Sequence, residues 1–210
     1  MTDYGAVRED YDTDGFDPAA LGDNPLAAID DWLSAAFSAG VPQANAMSLA
    51  TVSSEGRPSV RTVLLKGVDH GLVFYTNYES KKGSDIAQTG VAAVSVTWVE
   101  VHRQIRASGR VEFVSAEMSD RYFESRPHGA QIAAAASSQS EILADRDELI
   151  RRTEDLEGKY PDVVPRPPHW GGYRLIPDRI EFWQGRRSRM HDRYEFVRSD
   201  SGWDTNRLWP

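Results

Sequence analysis

Apolar residues follow two different rhythms along this chain. Leu26, Ile29, Trp32, Leu33 and Phe37 fall three or four apart, the spacing that turns one face of a helix toward a core. Asn24-Pro25 opens that helix as a cap followed by proline at the first helical position, and Gly40 stops it. Short runs of strand-forming residues between turns come next. Ala46–Val52 and residues 58–68 flank the hairpin loop Ser53-Ser54-Glu55-Gly56, and a strand at 71–76 follows the turn Asp69-His70-Gly71. Val91–Trp98 and residues 103–114 form a further antiparallel pair. Helices are predicted at 80–88, 116–125, 130–136 and 141–159, the last with Leu143, Leu149 and Leu156 turned inward. Residues 160–170 are Pro-rich and predict a loop, after which strands resume at 172–175, 179–184, 190–198 and 203–208. Many short strands with tight turns and peripheral helices predict a mainly β, α+β protein, built as a small antiparallel barrel or sandwich. Residues 1–23 are acidic, with Asp10, Asp12, Asp14 and Asp17 close together, and predict a flexible N-terminal arm. Residues 24–210 show no repeat or linker and predict a single domain.

Composition narrows the partners. A net charge of −8 argues against nucleic acid or an anionic membrane surface, because binding phosphates in bulk requires clustered Lys and Arg. Basic residues that converge locally then point to a small anion. No apolar run approaches the roughly 18 residues that span a bilayer, and Met1-Thr2-Asp3-Tyr4 lacks the basic and apolar regions of a secretory signal. The absence of cysteine excludes disulfides, thiolate metal sites and cysteine nucleophiles, and fits a cytoplasmic setting.

Several groups of residues could carry chemistry. If Arg189, His191 and Arg193 lie in one strand, alternation puts an imidazole between two permanent cations on one face. That suits an anionic ligand that exchanges protons, although a solvated edge strand has the same pattern. Arg61 and Lys66 are five apart and face opposite sides of an unbroken strand, so they need not serve one ligand. Ser80 caps a helix whose first turn carries Lys81 and Lys82, the wrong sign for the helix dipole unless an anion compensates. Tyr122 and Arg126 share a helical face, and Gln139-Ser140 reads as a helix cap. His70, His102, His128 and His169 have no metal-ligand spacing.

Taken in order, these segments resemble the pyridoxamine/pyridoxine 5′-phosphate oxidase family. The resemblance runs from Asn24 to Pro210. Its blocks are Arg61-Thr62-Val63-Leu64-Leu65-Lys66, Phe74-Tyr75-Thr76-Asn77, Ser80-Lys81-Lys82, Arg103-Gln104, Tyr122-Phe123 with Ser125-Arg126-Pro127, Gln139-Ser140, His169-Trp170-Gly171-Gly172-Tyr173, and Phe182-Trp183-Gln184-Gly185 with Arg189-Met190-His191-Asp192-Arg193.

The resemblance implies an FMN-binding split β-barrel of Greek-key type, acting as a homodimer with FMN at the subunit interface and no metal. It implies that Arg61 and Lys82, helped by Lys81, hold the FMN phosphate. The run Thr62, Val63, Leu64, Leu65 and Lys66 lines the flavin with Tyr75 and Thr76, and Gln104, Gln139 and Ser140 complete the site. Trp183 and Arg193 reach it from the partner subunit. Lys66, Tyr122 and Arg126 bind the phosphate of a small pyridine substrate; Arg189 and His191 sit over its ring as the catalytic pair. Arg8 and Tyr11 belong to an arm that closes over the substrate. The implied chemistry is hydride transfer from the substrate to FMN, with dioxygen as final acceptor.

The chain departs from the family pattern at Ala130, Ala133 and Ala135, where Ser, Gly and Trp are expected, at Lys81 in place of Arg, and at Thr97-Trp98-Val99-Glu100. These departures bear on the substrate more than on the flavin. They keep open a related flavin oxidase of the phenazine-pathway type, or a non-catalytic flavin or pyridoxal-phosphate binding protein.

Overall fold

Asn24 begins the first helix as its sequence predicts: its Oδ1 accepts from the Leu26 N–H at 3.2 Å and opens α1, Pro25–Ser38. The structure, a computed structural model, describes residues 3, 5, 10, 11 and 13–210. Among these, β1 (Ala46–Val52), β2 (Pro58–Leu64), β3 (Gly67–Val68) and β4 (Leu72–Asn77) lead to α2 (Lys81–Thr89). Then come β5 (Val91–Trp98), β6 (Arg103–Phe113), α3 (Ala116–Glu124), α4 (His128–Ala136) and α5 (Arg146–Lys159). The chain ends in β7 (Trp170–Gln184), β8 (Asp192–Ser199) and β9 (Gly202–Arg207).

The strands form one antiparallel sheet in the order β2-β1-β5-β6-β7-β4-β3, with β8 on β7 and β9 on β8. Two strands were expected at 172–175 and 179–184, yet β7 runs unbroken through Pro177. The physical reason is a bulge. Gly109 of β6 faces Pro177 while Ser108 faces Arg179, so Asp178 is the extra residue and the proline falls where a ladder bond is interrupted. The backbones crowd there: a Cβ on Gly109 would stand 2.1 Å from the Ile176 carbonyl oxygen. The first part of β7 then pairs with β4 and the last part with β8, which splits and curls the sheet into a half-barrel.

Three other boundaries move for local reasons. The expected strand 58–68 breaks at Leu65, whose N–H donates to Asn45 O at 2.8 Å and whose carbonyl accepts from Asn45 Nδ2 at 2.9 Å. The helix expected from 141 starts at Arg146, because Asp145 Oδ1 caps the Asp147 N–H at 3.0 Å; Leu143 stays 48% exposed outside it. The strand expected from Met190 starts at Asp192. Before it, Arg187–Arg189 is a short 3-10 turn with Ser188 and Arg189 at φ 56° and 63°. Arg189 and His191 therefore precede the strand, and the alternation that grouped them with Arg193 does not apply.

The main core lies between α1 and the sheet, where Trp32 meets Phe182 edge-on at 5.1 Å among Ile29, Leu49, Phe74, Leu175 and Phe196. Each such side chain contributes roughly 1.5–3 kcal/mol on burial. A smaller core of Phe123, Ile132, Val164 and Trp170 holds α3 and α4 over the start of β7. The N-terminal segment joins the body ahead of residue 24: Phe16 packs on Trp32 and Tyr194, and Leu21 is 3% exposed.

Candidate active site

A cleft of about 750 Å³ opens where β2 and β4 meet α2, α3 and α4. It gathers Arg61, Thr62, Val63, Leu64 and Lys66 from the β2 segment, Tyr75 and Thr76 from β4, Lys81 and Lys82 from α2, and Tyr122, Arg126, Gln139 and Ser140. Most residues that the sequence nominates for one site thus converge.

The cations divide into two groups. At one pole Lys82 is buried, and its Nζ donates to Thr76 Oγ1 at 3.0 Å, Ser80 Oγ at 2.8 Å and Gln139 Oε1 at 2.5 Å. All three acceptors are neutral. Burial, and then the charge of Arg61, push its ammonium down to about 8. Arg61 is held from behind, with Nη1 donating to Leu49 O at 3.0 Å and Thr51 Oγ1 at 2.8 Å, and Nη2 to Ser59 Oγ at 2.5 Å. Burial lowers its basicity, and the nearby charge of Asp85 opposes that. Lys81 instead pairs with Asp85 one helical turn along. Burial works against the Asp85 charge, yet hydrogen bonds from Lys81, Thr51 and Ser59 hold its carboxyl below the usual range. Two desolvated cations on one cleft wall, with no carboxylate among their described hydrogen-bond partners, can accommodate an anion.

At the other pole Arg126 lies 4.8 Å over the Trp170 ring, and burial lowers its basicity. Its Nη1 is buried with no hydrogen-bond partner among the described residues. Lys66 Nζ stands 5.8 Å from the Tyr122 ring centre. Between the cations, Tyr75 stacks on Tyr122 at 3.9 Å and 18°, and lies within 11° of parallel with Trp170. Flat aromatic walls with cations at each end suit planar ligands bearing anionic tails. Ser140, at φ 78°, holds a left-handed conformation that costs a non-glycine residue of order 1 kcal/mol.

The structure corrects the sequence reading of Arg61 and Lys66. Because the chain leaves the strand at Leu65, both side chains border the same cleft and not opposite faces. Leu65 itself is a core residue, 4% exposed, with its backbone engaged by Asn45, so the cleft is built without it.

A second set of expected residues lies apart from the cleft. Tyr11, His102, Trp183 and His191 cluster with ring separations of 4.6 Å for Tyr11–His102 and 4.8 Å for Trp183–His191. His191 Nδ1 accepts from the Arg186 N–H at 3.0 Å, so its neutral form carries the proton on Nε2. Burial, followed by the charge of Arg189, lowers its basicity. Arg189 is exposed in the tight turn. Arg193 donates to Glu181 at 2.8 and 3.1 Å and to Trp209 O at 2.7 Å. Gln104 Nε2 donates to Thr97 Oγ1 at 3.0 Å. Arg8 lies outside the described residues.

Sequence reasoning overlooked Trp170 as a wall and the group Thr51, Ser59 and Asp85 behind Arg61. Their signals were faint: Thr51 and Ser59 are register partners across the first hairpin, and Asp85 stands four residues after Lys81.

Comparison with known proteins identifies the family. A family profile described as pyridoxamine 5′-phosphate oxidase matches residues 33–160. A second, described as the pyridoxine 5′-phosphate oxidase C-terminal dimerisation region, matches residues 170–210. Pyridoxine/pyridoxamine 5′-phosphate oxidases of Paraburkholderia phytofirmans and Burkholderia cenocepacia are 49% and 50% identical, each covering 100% of both chains. Among solved structures, PhzG from Burkholderia lata 383, in complex with tetrahydrophenazine-1-carboxylic acid, superposes with a TM-score of 0.89 and 32% identity. That match covers 94% of this chain and 98% of that one. A pyridoxamine 5′-phosphate oxidase-related, FMN binding protein from Nostoc punctiforme shares the fold, with a TM-score of 0.71 at 20% identity over 93% of this chain and 98% of that one.

The architecture is thus that of the split β-barrels related to flavin-binding oxidoreductases. More narrowly, the chain belongs to the pyridoxamine 5′-phosphate oxidase family.

Proposed function

We propose that this protein is a cytoplasmic, FMN-dependent oxidase acting as a homodimer. It converts pyridoxamine 5′-phosphate or pyridoxine 5′-phosphate to pyridoxal 5′-phosphate, with dioxygen as acceptor and hydrogen peroxide as product. The observation that carries this reading is the pair of cationic poles separated by aromatic walls in one cleft. Two phosphate esters on planar rings match it, one for cofactor and one for substrate. The donors fit such groups: Lys82 is buried among neutral acceptors, and Arg126 has a buried nitrogen without a partner.

In this reading Arg61 and Lys82 hold the FMN phosphate, with Thr76, Gln139 and Ser140 around it and Lys81 nearby. FMN bound there would supply the hydride acceptor and the redox route to dioxygen. Lys66, Tyr122 and Arg126 hold the substrate phosphate, while Tyr75 and Trp170 flatten the wall and exclude water. Trp183, Arg189, His191 and Arg193 of one protomer complete the cleft of its partner, with Gln104 at the border and Arg8 and Tyr11 over the substrate. Arg189 orients the ring and stabilises negative charge developing on it. The Arg186 N–H occupies His191 Nδ1, so Nε2 is the atom that holds or releases a proton.

The likeness to PhzG supports a second reading, an oxidase of a larger aromatic acid. Ala135, small where the family pattern expects Trp, packs against the core that carries Trp170 and agrees with a wider substrate. The nearly 50% identical relatives and the Lys66–Arg126 pole favour the phosphate ester. The test is anaerobic addition of pyridoxine 5′-phosphate to FMN-saturated protein. Bleaching of the flavin band, its return in air and formation of pyridoxal 5′-phosphate are expected. Bleaching by a reduced phenazine carboxylic acid alone selects the second reading, and no bleaching by either leaves a binding protein.

A further inference from the structure

Asp85 lies at the back of the cofactor pole, 1% exposed, and among the described residues no hydrogen bond or ion pair joins it directly to Arg61. Two hydroxyls connect them. Thr51 Oγ1 donates to Asp85 Oδ2 at 2.8 Å and accepts from Arg61 Nη1 at 2.8 Å. Ser59 Oγ donates to the same carboxylate oxygen at 3.2 Å and accepts from Arg61 Nη2 at 2.5 Å.

A hydroxyl has one proton to give. With both protons committed to an ionised carboxylate, both oxygens turn their lone pairs toward the guanidinium. The Leu49 carbonyl adds a third fixed acceptor, which leaves the remaining face of Arg61 toward the cleft. The elements involved are far apart in sequence: β1 and β2 provide the hydroxyls and α2 the carboxylate. Lys81 is drawn into the same arrangement, its ammonium paired with Asp85.

We propose that Asp85 is a positioning residue for the cofactor phosphate, acting through the hydroxyls of Thr51 and Ser59 to fix the fork of Arg61. This rests on the reading of the Arg61–Lys82 pole as the seat of the FMN phosphate. The relay aims a permanent cation before the ligand arrives, so the ordering cost is met in folding and not in binding.

The test uses full-length apoprotein and two probes that differ by one phosphate, FMN and riboflavin, with affinity read from quenching of flavin fluorescence. The hydroxyls are removed as Thr51→Val with Ser59→Ala, which changes no charge, in the wild type and again in Asp85→Asn. The double hydroxyl deletion is expected to weaken FMN about tenfold while riboflavin stays within about twofold. In the Asp85→Asn background the same deletion is expected to have little further effect. Equal weakening of both flavins would show that the hydroxyls hold only the fold, and overturn the proposal. An undiminished tenfold penalty in Asp85→Asn would overturn it too, by uncoupling Asp85 from the hydroxyls. Ser59→Ala alone completes the same cycle if the triple variant does not fold. A wild-type protein that binds FMN no tighter than riboflavin would remove the phosphate reading itself, and the relay with it, before any substitution is made.

Discussion

Lys82 Nζ stands 2.5 Å from Gln139 Oε1, joining the first turn of α2 to the loop after α4 through a cation that meets no carboxylate among the described residues. The burial of that cation, with the charge of Arg61 beside it, sets a pH dependence. With the ammonium at about 8 in the free protein, a bound phosphate dianion draws the proton back, so FMN binding takes up a proton above that pH. FMN affinity is expected to hold below pH 8 and fall by up to about tenfold per unit above it. For folding the sign reverses. The depressed Lys82 contributes stability that is full above its ordinary 10.5 and lost as pH falls through about 8. Fluorescence titrations from pH 7 to 10 check the first effect, and Lys82→Met should flatten the slope.

The two neighbouring lysines should not be equivalent. Lys82 is buried and Lys81 leaves 58% of its side chain exposed while paired with Asp85. Lys82→Met is expected to weaken FMN by about ten- to a hundredfold, and Lys81→Met by less than about fivefold. Equal losses would place Lys81 on the phosphate.

Arg126→Met should act on substrate and leave cofactor alone. Removing the guanidinium with the buried Nη1 is expected to raise KM for pyridoxine 5′-phosphate by about ten- to a hundredfold. FMN affinity should stay within about twofold. Lys66→Met is expected to move KM in the same direction. Steady-state kinetics beside flavin titration separate the two effects.

Arg189→Ala should cut turnover by about a hundredfold or more while the purified protein stays yellow. Because burial and Arg189 both lower the basicity of His191, any loss of kcat/KM from its protonation should fall below the usual imidazole range. In Arg189→Ala that acid limb should move to higher pH. A pH profile unchanged by the substitution would separate the two residues.

Gly109→Ala tests the bulge. Its Cβ would meet the Ile176 oxygen at 2.1 Å, so the strands must part. A loss of at least about 2 kcal/mol is expected, read as a lowered Tm in the flavin-free protein.

The sequence revealed the elements whose causes are local. The Asn24 cap, the Ser80 cap and Val91–Trp98 occur as expected, because each depends on a few adjacent side chains. Pro177 misled, since what lets a proline stay within β7 is a bulge opposite Gly109, nearly seventy residues earlier. Lys66 was assigned to the wrong face because the break at Leu65 depends on Asn45, across the β1–β2 hairpin. Arg189 was placed in a strand because nothing in its own residue type announces a positive φ. Much of the cleft was legible only through family resemblance. Asp85 stayed hidden because it sits on helix α2 while its hydroxyl partners come from the β1–β2 hairpin.

The long strand β7 has Trp170 at the cleft and Trp183 beside His191, with roughly 45 Å of extended chain between its ends. In the proposed dimer each protomer therefore owns the floor of one site and the roof of the other. Two crippled enzymes can then heal each other. A protomer carrying Lys82→Met and one carrying Arg189→Ala build a hybrid with one doubly damaged site and one intact. With FMN limiting, so that the Lys82→Met site stays unfilled, random mixing makes about half the dimers hybrid, and roughly a quarter of wild-type turnover returns from parents that have almost none.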